Sequence, residues 1–193
     1  MSEFDIERQI KAIAIGASAG GVEALSVLLP RLPNNLPVSL FIVLHLPRDR
    51  PSHLVDIFSH RCELPVKEAE DKELIKPGVV YFAPPGYHLL LDEGPQFALS
   101  IDELVNFSRP SIDVLFESAA DVYREHLAGV ILTGGNADGA LGLAAIHRFG
   151  GLTIVQQPAT AQNSMMPMAA LEKSPVDFQL SLEEIADFFC TLS

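Results

Sequence analysis

Between an apolar run, Ala12-Ile13-Ala14-Ile15, and a helical pattern over 22–29, the chain carries Gly16-Ala17-Ser18-Ala19-Gly20-Gly21. A strand that turns at once into a helix crowds its own backbone, and glycine alone meets positive φ there at low cost. The stretch therefore sets a strand, tight turn, helix unit at the head of an α/β fold. Three readings of the turn compete. Its letters satisfy G-x-S-x-G, in which a serine on a sharp strand-to-helix turn projects its hydroxyl from the sheet edge. A dinucleotide-binding G-x-G-x-x-G needs glycine at position 18, where a phosphate approaches the backbone, and an acidic residue about 20 positions later. Ser18 and a second strand ending in His45 supply neither. A serine that only caps the helix fits the same letters, so the turn alone does not decide.

The next apolar stretch, 38–44, is nearly continuous, as in a strand buried on both faces of a parallel sheet. A right-handed crossover makes the first two strands parallel, which puts Ser18 and His45 at the C-terminal ends of strands in one sheet. That edge is where open α/β sheets bind ligands. A short helix is expected over 52–60, with His53 and His60 as solvated surface histidines. Short strands follow at 65–67, 78–82, 88–91 and 96–99. Asp92-Glu93-Gly94-Pro95 has hairpin chemistry, so the last two strands read as an antiparallel hairpin added to the sheet, with His88 structural. Ser111 is the expected N-cap of a helix reaching about 124, with Ile112, Leu115, Phe116 and Ala119 toward the core. Gly129-Val130-Ile131-Leu132 runs into Thr133-Gly134-Gly135-Asn136-Ala137-Asp138-Gly139 and then a helix over 140–148. At this second strand-loop-helix junction Asp138 is either a cap for that helix or a working carboxylate. A strand at 151–155 and helices at 166–172 and 182–192 complete one domain, 1–193. The expected architecture is a doubly wound, mostly parallel sheet flanked by helices.

Composition narrows the function. A formal net charge of −12 argues against broad nucleic-acid or anionic-membrane binding. No apolar run reaches the roughly 18–20 residues that span a bilayer, and the acidic N-terminus lacks a signal-peptide core. The expectation is a cytoplasmic protein without membrane insertion. Cys62 and Cys190 form neither a metal-ligand spacing nor a disulfide framework and read as reduced thiols. Arg48 and Arg50 lie just beyond His45 in this acidic chain. With Arg109 they are candidates for steering an acidic partner toward Ser18, the alternative being a solvated loop.

Ser18, His45 and Asp138 thus converge on one sheet edge as hydroxyl, imidazole and carboxylate. A serine needs a neighbouring base to accept its proton, and the base needs a carboxylate to fix its tautomer. The chain order Ser-His-Asp differs from that of α/β hydrolases, but such triads recur on unrelated folds in several orders. Seven segments in register then resemble the catalytic domain of the CheB-type protein-glutamate methylesterases. They are 15–21, Val43-Leu44-His45-Leu46-Pro47, Tyr81-Phe82-Ala83-Pro84-Pro85-Gly86, Arg109-Pro110-Ser111-Ile112-Asp113, 129–134, Asp138-Gly139-Ala140 and Met166-Pro167. The resemblance implies Ser18 as nucleophile, His45 as general base and Asp138 as its orienting carboxylate. It implies hydrolysis of glutamate γ-methyl esters on chemoreceptor helices, with deamidation of glutamine as a second activity, and no cofactor or metal. Ala19 and the Gly134-Gly135-Asn136 turn are the candidate oxyanion donors.

Some positions depart from the family pattern. Ala19 stands where the family has Thr, Gly135-Asn136 where it has Met-Gly, and Met165 where it has Gly. Only about ten residues precede the first strand, so a built-in phosphorylatable receiver domain is not expected. The competing expectation is a catalytically silent module of the same fold that docks a receptor or a methyltransferase. A nucleotide-binding domain ranks last, because of Ser18.

Overall fold

The structure, a computed structural model, describes residues 9–46 and 52–192. In chain order the elements are β1 (Ala12–Ala17), α1 (Gly21–Leu28), β2 (Ser39–Leu44), α2 (Leu54–Ser59), β3 (Val66–Glu68), β4 (Val80–Phe82), β5 (His88–Asp92) and β6 (Gln96–Ser100). Then follow α3 (Ile112–Tyr123), β7 (Leu127–Ile131), α4 (Ala140–Arg148), β8 (Leu152–Gln156), α5 (Met165–Lys173), β9 (Phe178–Leu180) and α6 (Leu182–Cys190). Seven strands form one sheet in the order β3-β4-β2-β1-β7-β8-β9. Every pairing in it is parallel. Strand order reverses between β1 and β7, so a crevice opens beyond their C-terminal ends. The doubly wound architecture read from the alternating strand and helix patterns is the one observed.

Alternation along β1 divides the core. Ile13, Ile15 and Ala17 pack with Leu25 and Leu28 of α1 and with Ile185, Phe188 and Phe189 of α6. Ala12 and Ala14 face Ile112, Leu115 and Phe116 of α3 on the other side. That second face is built from small residues on the strand, and Gly16 completes it. A Cβ at Gly16 would collide with the Ile112 side chain, so the missing methyl lets α3 lie close over the end of β1.

The hairpin differs from expectation in one respect. β5 and β6 pair antiparallel, as expected, but form a separate two-stranded sheet. The position beside β4 that they would occupy is taken by β3, which pairs with it in parallel. The hairpin instead packs on α3. Leu91 N–H donates to Ser118 Oγ at 3.1 Å, and Phe97 meets Tyr81 and Phe41 edge-on at 4.8 and 5.5 Å. β9, a three-residue strand at the far edge, was not expected from the sequence. Three residues carry too little alternation to stand out.

Candidate active site

Ser18 and His45 follow directly on two neighbouring parallel strands. The last register pair is Ala17 with Leu44, and His45 N–H donates to Ala17 carbonyl at 3.1 Å. One step further along, Ser18 and His45 therefore stand side by side, with Cα atoms about 5 Å apart. The turn at Ser18 is made by Gly20, with φ 81°, which precedes α1. It is tied across the crevice to the loop after β7. Ser18 N–H donates to Thr133 carbonyl at 2.9 Å, and Thr133 Oγ1 donates to Ala19 carbonyl at 2.8 Å. Ser18 is half-buried and Ala19 exposed.

Asp138 is fully buried, at 0% exposure, and its carboxylate is crowded with donors. Oδ2 accepts from His45 Nε2 at 2.8 Å and from Ile112 N–H at 2.7 Å. Oδ1 accepts from Ser111 Oγ at 2.8 Å, Asn106 Nδ2 at 3.1 Å and Asp113 N–H at 3.2 Å. Asp138 is therefore a cap, but of α3 and not of the helix that follows it. Ser111, expected to cap α3 itself, turns its hydroxyl to Asp138 instead. Local spacing pointed to α4, because the approach of α3 is set by tertiary packing. Two glycines allow that approach: Gly16, and Gly139, where φ is 95° and a Cβ would strike Ile112 and Ile131.

Burial alone would raise the Asp138 pKa. The hydrogen bonds from His45, Ile112, Ser111 and Asn106 outweigh it, so the carboxyl titrates below its ordinary value of 3.8. The positive end of α3 favours the same charge state. An ionised Asp138 can only accept, so the proton between it and His45 belongs to Nε2 when the imidazole is neutral. Nδ1 is then the basic nitrogen. No hydrogen bond of the Ser18 hydroxyl is present among the described residues. Such contacts are commonly long in unliganded sites and tighten on substrate.

The other expected residues fall differently. Gly134 N–H donates to Asn163 carbonyl at 3.1 Å, which engages one of the four candidate oxyanion donors. Asn136 closes the turn before Asp138, accepting Asp138 N–H at 3.1 Å through its side-chain oxygen. The backbone N–H groups of Ala19 and Gly135 have no acceptor among the described residues. Arg109, expected to steer a partner, donates through Nη1 to the carbonyls of Ile101 and Asp102 at 2.7 and 2.9 Å and so ties down the 101–108 loop. Arg48 and Arg50 lie outside the described residues. His88 is buried and structural, bonded to Glu103 carbonyl at 2.9 Å and to Ser111 N–H at 3.2 Å. His53 and His60 are on the exposed α2 region, where each bonds to Asp56. Asn106 is the site residue that sequence reasoning missed.

A buried carboxylate bonded to an imidazole beside a serine is an arrangement that serine hydrolases use on several unrelated folds, and here it lies at the switch point of a doubly wound sheet. The chain belongs to the CheB methylesterase family, whose model matches residues 13–189. A relative from Leptospira interrogans is 50% identical over 182 residues, covering 94% of each chain. A protein-glutamate methylesterase/protein-glutamine glutaminase of Clostridium acetobutylicum is 35% identical over 92% of this chain, which spans 52% of that protein. The crystal structure of the Thermotoga maritima CheB methylesterase catalytic domain superposes with a TM-score of 0.90 at 34% identity. The match covers 95% of this chain and 99% of that one.

Proposed function

We propose that this chain is a cytoplasmic protein-glutamate methylesterase that works through Ser18, His45 and Asp138 on the cytoplasmic helices of methyl-accepting chemoreceptors. The observation that carries the reading is the hydrogen bond from half-buried His45 to fully buried Asp138, beside Ser18 on the neighbouring strand. The name of the Clostridium relative supports the substrate class.

In this reading Ser18 Oγ attacks the γ-carbonyl carbon of a glutamate methyl ester, and its proton passes to His45 Nδ1. The carbonyl oxygen becomes an oxyanion, with the unengaged Ala19 and Gly135 N–H groups as candidate donors. The imidazolium, steadied through Nε2–H by Asp138, returns the proton to the departing methoxide, which leaves as methanol. A γ-glutamyl ester of Ser18 remains. Water attacks it with His45 again as base, releasing the glutamate carboxylate and restoring the serine. Glutamine would follow the same path with ammonia as leaving group. No step draws on a metal or organic cofactor.

The test is methanol release from a methylated receptor fragment. Wild type should turn over and Ser18→Ala should not. A fluorophosphonate should label Ser18, and His45→Gln should abolish the labelling. A folded, unlabelled wild type would instead support the silent docking module, for a receptor or a methyltransferase. The absent Ser18 hydrogen bond and Ala19 are the observations that favour that second reading.

A further inference from the structure

Asp113 is a buried carboxylate that the reaction above does not use. It is 3% exposed. Its Oδ1 accepts Gly142 N–H at 2.7 Å, which fastens α4 to α3. Its Oδ2 accepts Asn106 Nδ2 at 2.9 Å. The same nitrogen donates to Asp138 Oδ1 at 3.1 Å. An amide nitrogen carries two hydrogens, and here each goes to a different buried carboxylate. Both hydrogens of the Asn106 amide nitrogen are thereby engaged, which fixes the orientation of the amide plane.

Asn106 also differs in origin from the other donors to Asp138 Oδ1. Ser111 Oγ and Asp113 N–H belong to the start of α3. Asn106 reaches in from the 101–108 loop, whose residue Phe107 lines the same hollow as His45. Asn106 and Phe107 both hold left-handed backbone, φ 49° and 61°. Asparagine enters that region readily and phenylalanine does not. Such a pair persists where the surroundings hold it. Here Val105 and Ser108 exchange backbone bonds at 3.1 and 2.9 Å, and Arg109 clamps the loop's start.

We propose that Asn106, anchored by Asp113, is a positioning residue that sets the rotation of the Asp138 carboxylate so that Oδ2 meets His45. The proposal rests on the Ser-His-Asp reading for its kinetic consequences and on geometry alone for its structural ones. The electrostatics agree. Burial pushes the Asp113 carboxyl up to about 6, with the charges of Asp138 and Glu117 adding to it, while Gly142 and Asn106 hold it down. Two carboxylates this close need the hydrogens between them. Without Asn106 the Asp138 oxygens lose a donor and become more basic, which favours imidazolium at His45.

The experiment uses the full chain, as Asn106→Ala and Asn106→Asp, with two readouts. One is kcat and KM for methanol release. The other is the His45 ring titration by NMR without substrate. Asn106→Ala should lower kcat about tenfold, as loss of an orienting partner commonly does, with KM within about twofold. Its His45 ring titration should be displaced upward from that of wild type. Asn106→Asp inserts a third carboxylate, so its loss should be deeper at pH 8 than at pH 6. Asn106→Ser, which keeps one donor, substitutes for either variant that does not fold. A His45 midpoint unchanged in the folded variants overturns the proposal, even where Tm and activity fall together. A shifted midpoint in a chain that releases no methanol keeps the positioning role and rejects the esterase reading.

Discussion

Asp138→Asn keeps the shape of the side chain, and in a chymotrypsin-like triad the same change leaves the geometry intact. Here neither placement of the new amide is silent. With its NH2 at the Oδ1 position it faces Asp113 N–H and Asn106 Nδ2, which now sit at 3.2 and 3.1 Å from an acceptor. With its NH2 at the Oδ2 position it faces Ile112 N–H, at 2.7 Å, and His45 Nε2, at 2.8 Å. A buried donor without an acceptor costs about 1–3 kcal/mol. The second placement orphans one donor, Ile112 N–H, and the first orphans two, Asp113 N–H and a hydrogen of Asn106 Nδ2, so the second should prevail. It also obliges His45 to accept at Nε2 and hold its proton on Nδ1, the nitrogen assigned to Ser18. The expected result is a loss of about 2 kcal/mol in stability, or about 4–8 °C in Tm for a chain of this size. Turnover should fall about 10⁴-fold, the scale of a wrong-tautomer triad. The pH dependence has a definite sign. Asp138 has a folded pKa lowered from 3.8, so its contribution is present above about pH 4 and lost as pH falls through the folded value. The Tm gap between wild type and variant should therefore be full at pH 7 and shrink below pH 4. Calorimetry at pH 7 and pH 3, with methanol release at pH 7, measures both effects. A variant within 1 °C of wild type at pH 7 would refute the capping role. One retaining more than about a tenth of the activity would refute the tautomer role.

Other outcomes follow from the same contacts. Gly16→Ala brings a Cβ into the Ile112 side chain, with Ile112 Cδ1 at 2.9 Å, so that side chain, or α3 with it, must shift. Thermal unfolding should show a loss of about 1–3 kcal/mol, and fluorophosphonate labelling of Ser18 should slow because Ile112 N–H moves with the helix. Asp113 has the opposite sign to Asp138. Its folded pKa of about 6 lies above the ordinary 3.8, so the unfolded chain releases that proton first. The stability advantage of wild type over Asp113→Asn, read from denaturant midpoints, should therefore narrow as pH rises from about 4 to 6. Burial pushes the Cys62 thiol up to about 11, so at pH 8 it should react with a disulfide reagent about 100-fold more slowly than an ordinary thiol of pKa about 8.5. A rate near that of a free thiol would contradict its burial.

What was legible in the sequence was whatever repeats locally. The apolar runs of β1 and β2, the Gly-rich turn and the hairpin chemistry at 92–95 each carry a period or a φ requirement within a few residues, and each appears where expected. The sheet edge that gathers Ser18, His45 and Asp138 was legible too, because parallel strands with right-handed crossovers send their C-terminal ends to one side. The parts that were not legible depend on which element reaches which. Asp138 is two residues from the start of α4 and 25 from Asp113, yet it caps α3, because Gly16 and Gly139 make room for Ile112. Asn106 is a lone polar residue in an irregular loop with no period to betray it. Its nearest signal was Asp113, an acidic residue in the first turn of an otherwise core-facing helix. The hairpin's placement was set by β3, which claims the edge of β4 first.

The position of the three strands also accounts for which nitrogen faces which partner. His45 leaves β2, Asp138 follows β7, and β1 runs between them. The strand spacing makes that gap about 10 Å from β2 to β7, with Ser18 beside His45 and at half the distance. Of the two ring nitrogens Nε2 lies further from the backbone, and it is the one that meets Asp138, at 2.8 Å. Nδ1, nearer the backbone, is left for the neighbour one strand away. In a chymotrypsin-like triad the carboxylate takes Nδ1 and the serine takes Nε2. In the proposed mechanism the order of strands in the sheet reverses that assignment: an imidazole on β2 that must span β1 to reach Asp138 uses its far nitrogen for the task. The tautomer with the proton on Nε2, enforced by a carboxylate that accepts at both oxygens, is therefore the one that leaves a lone pair on the Ser18 side.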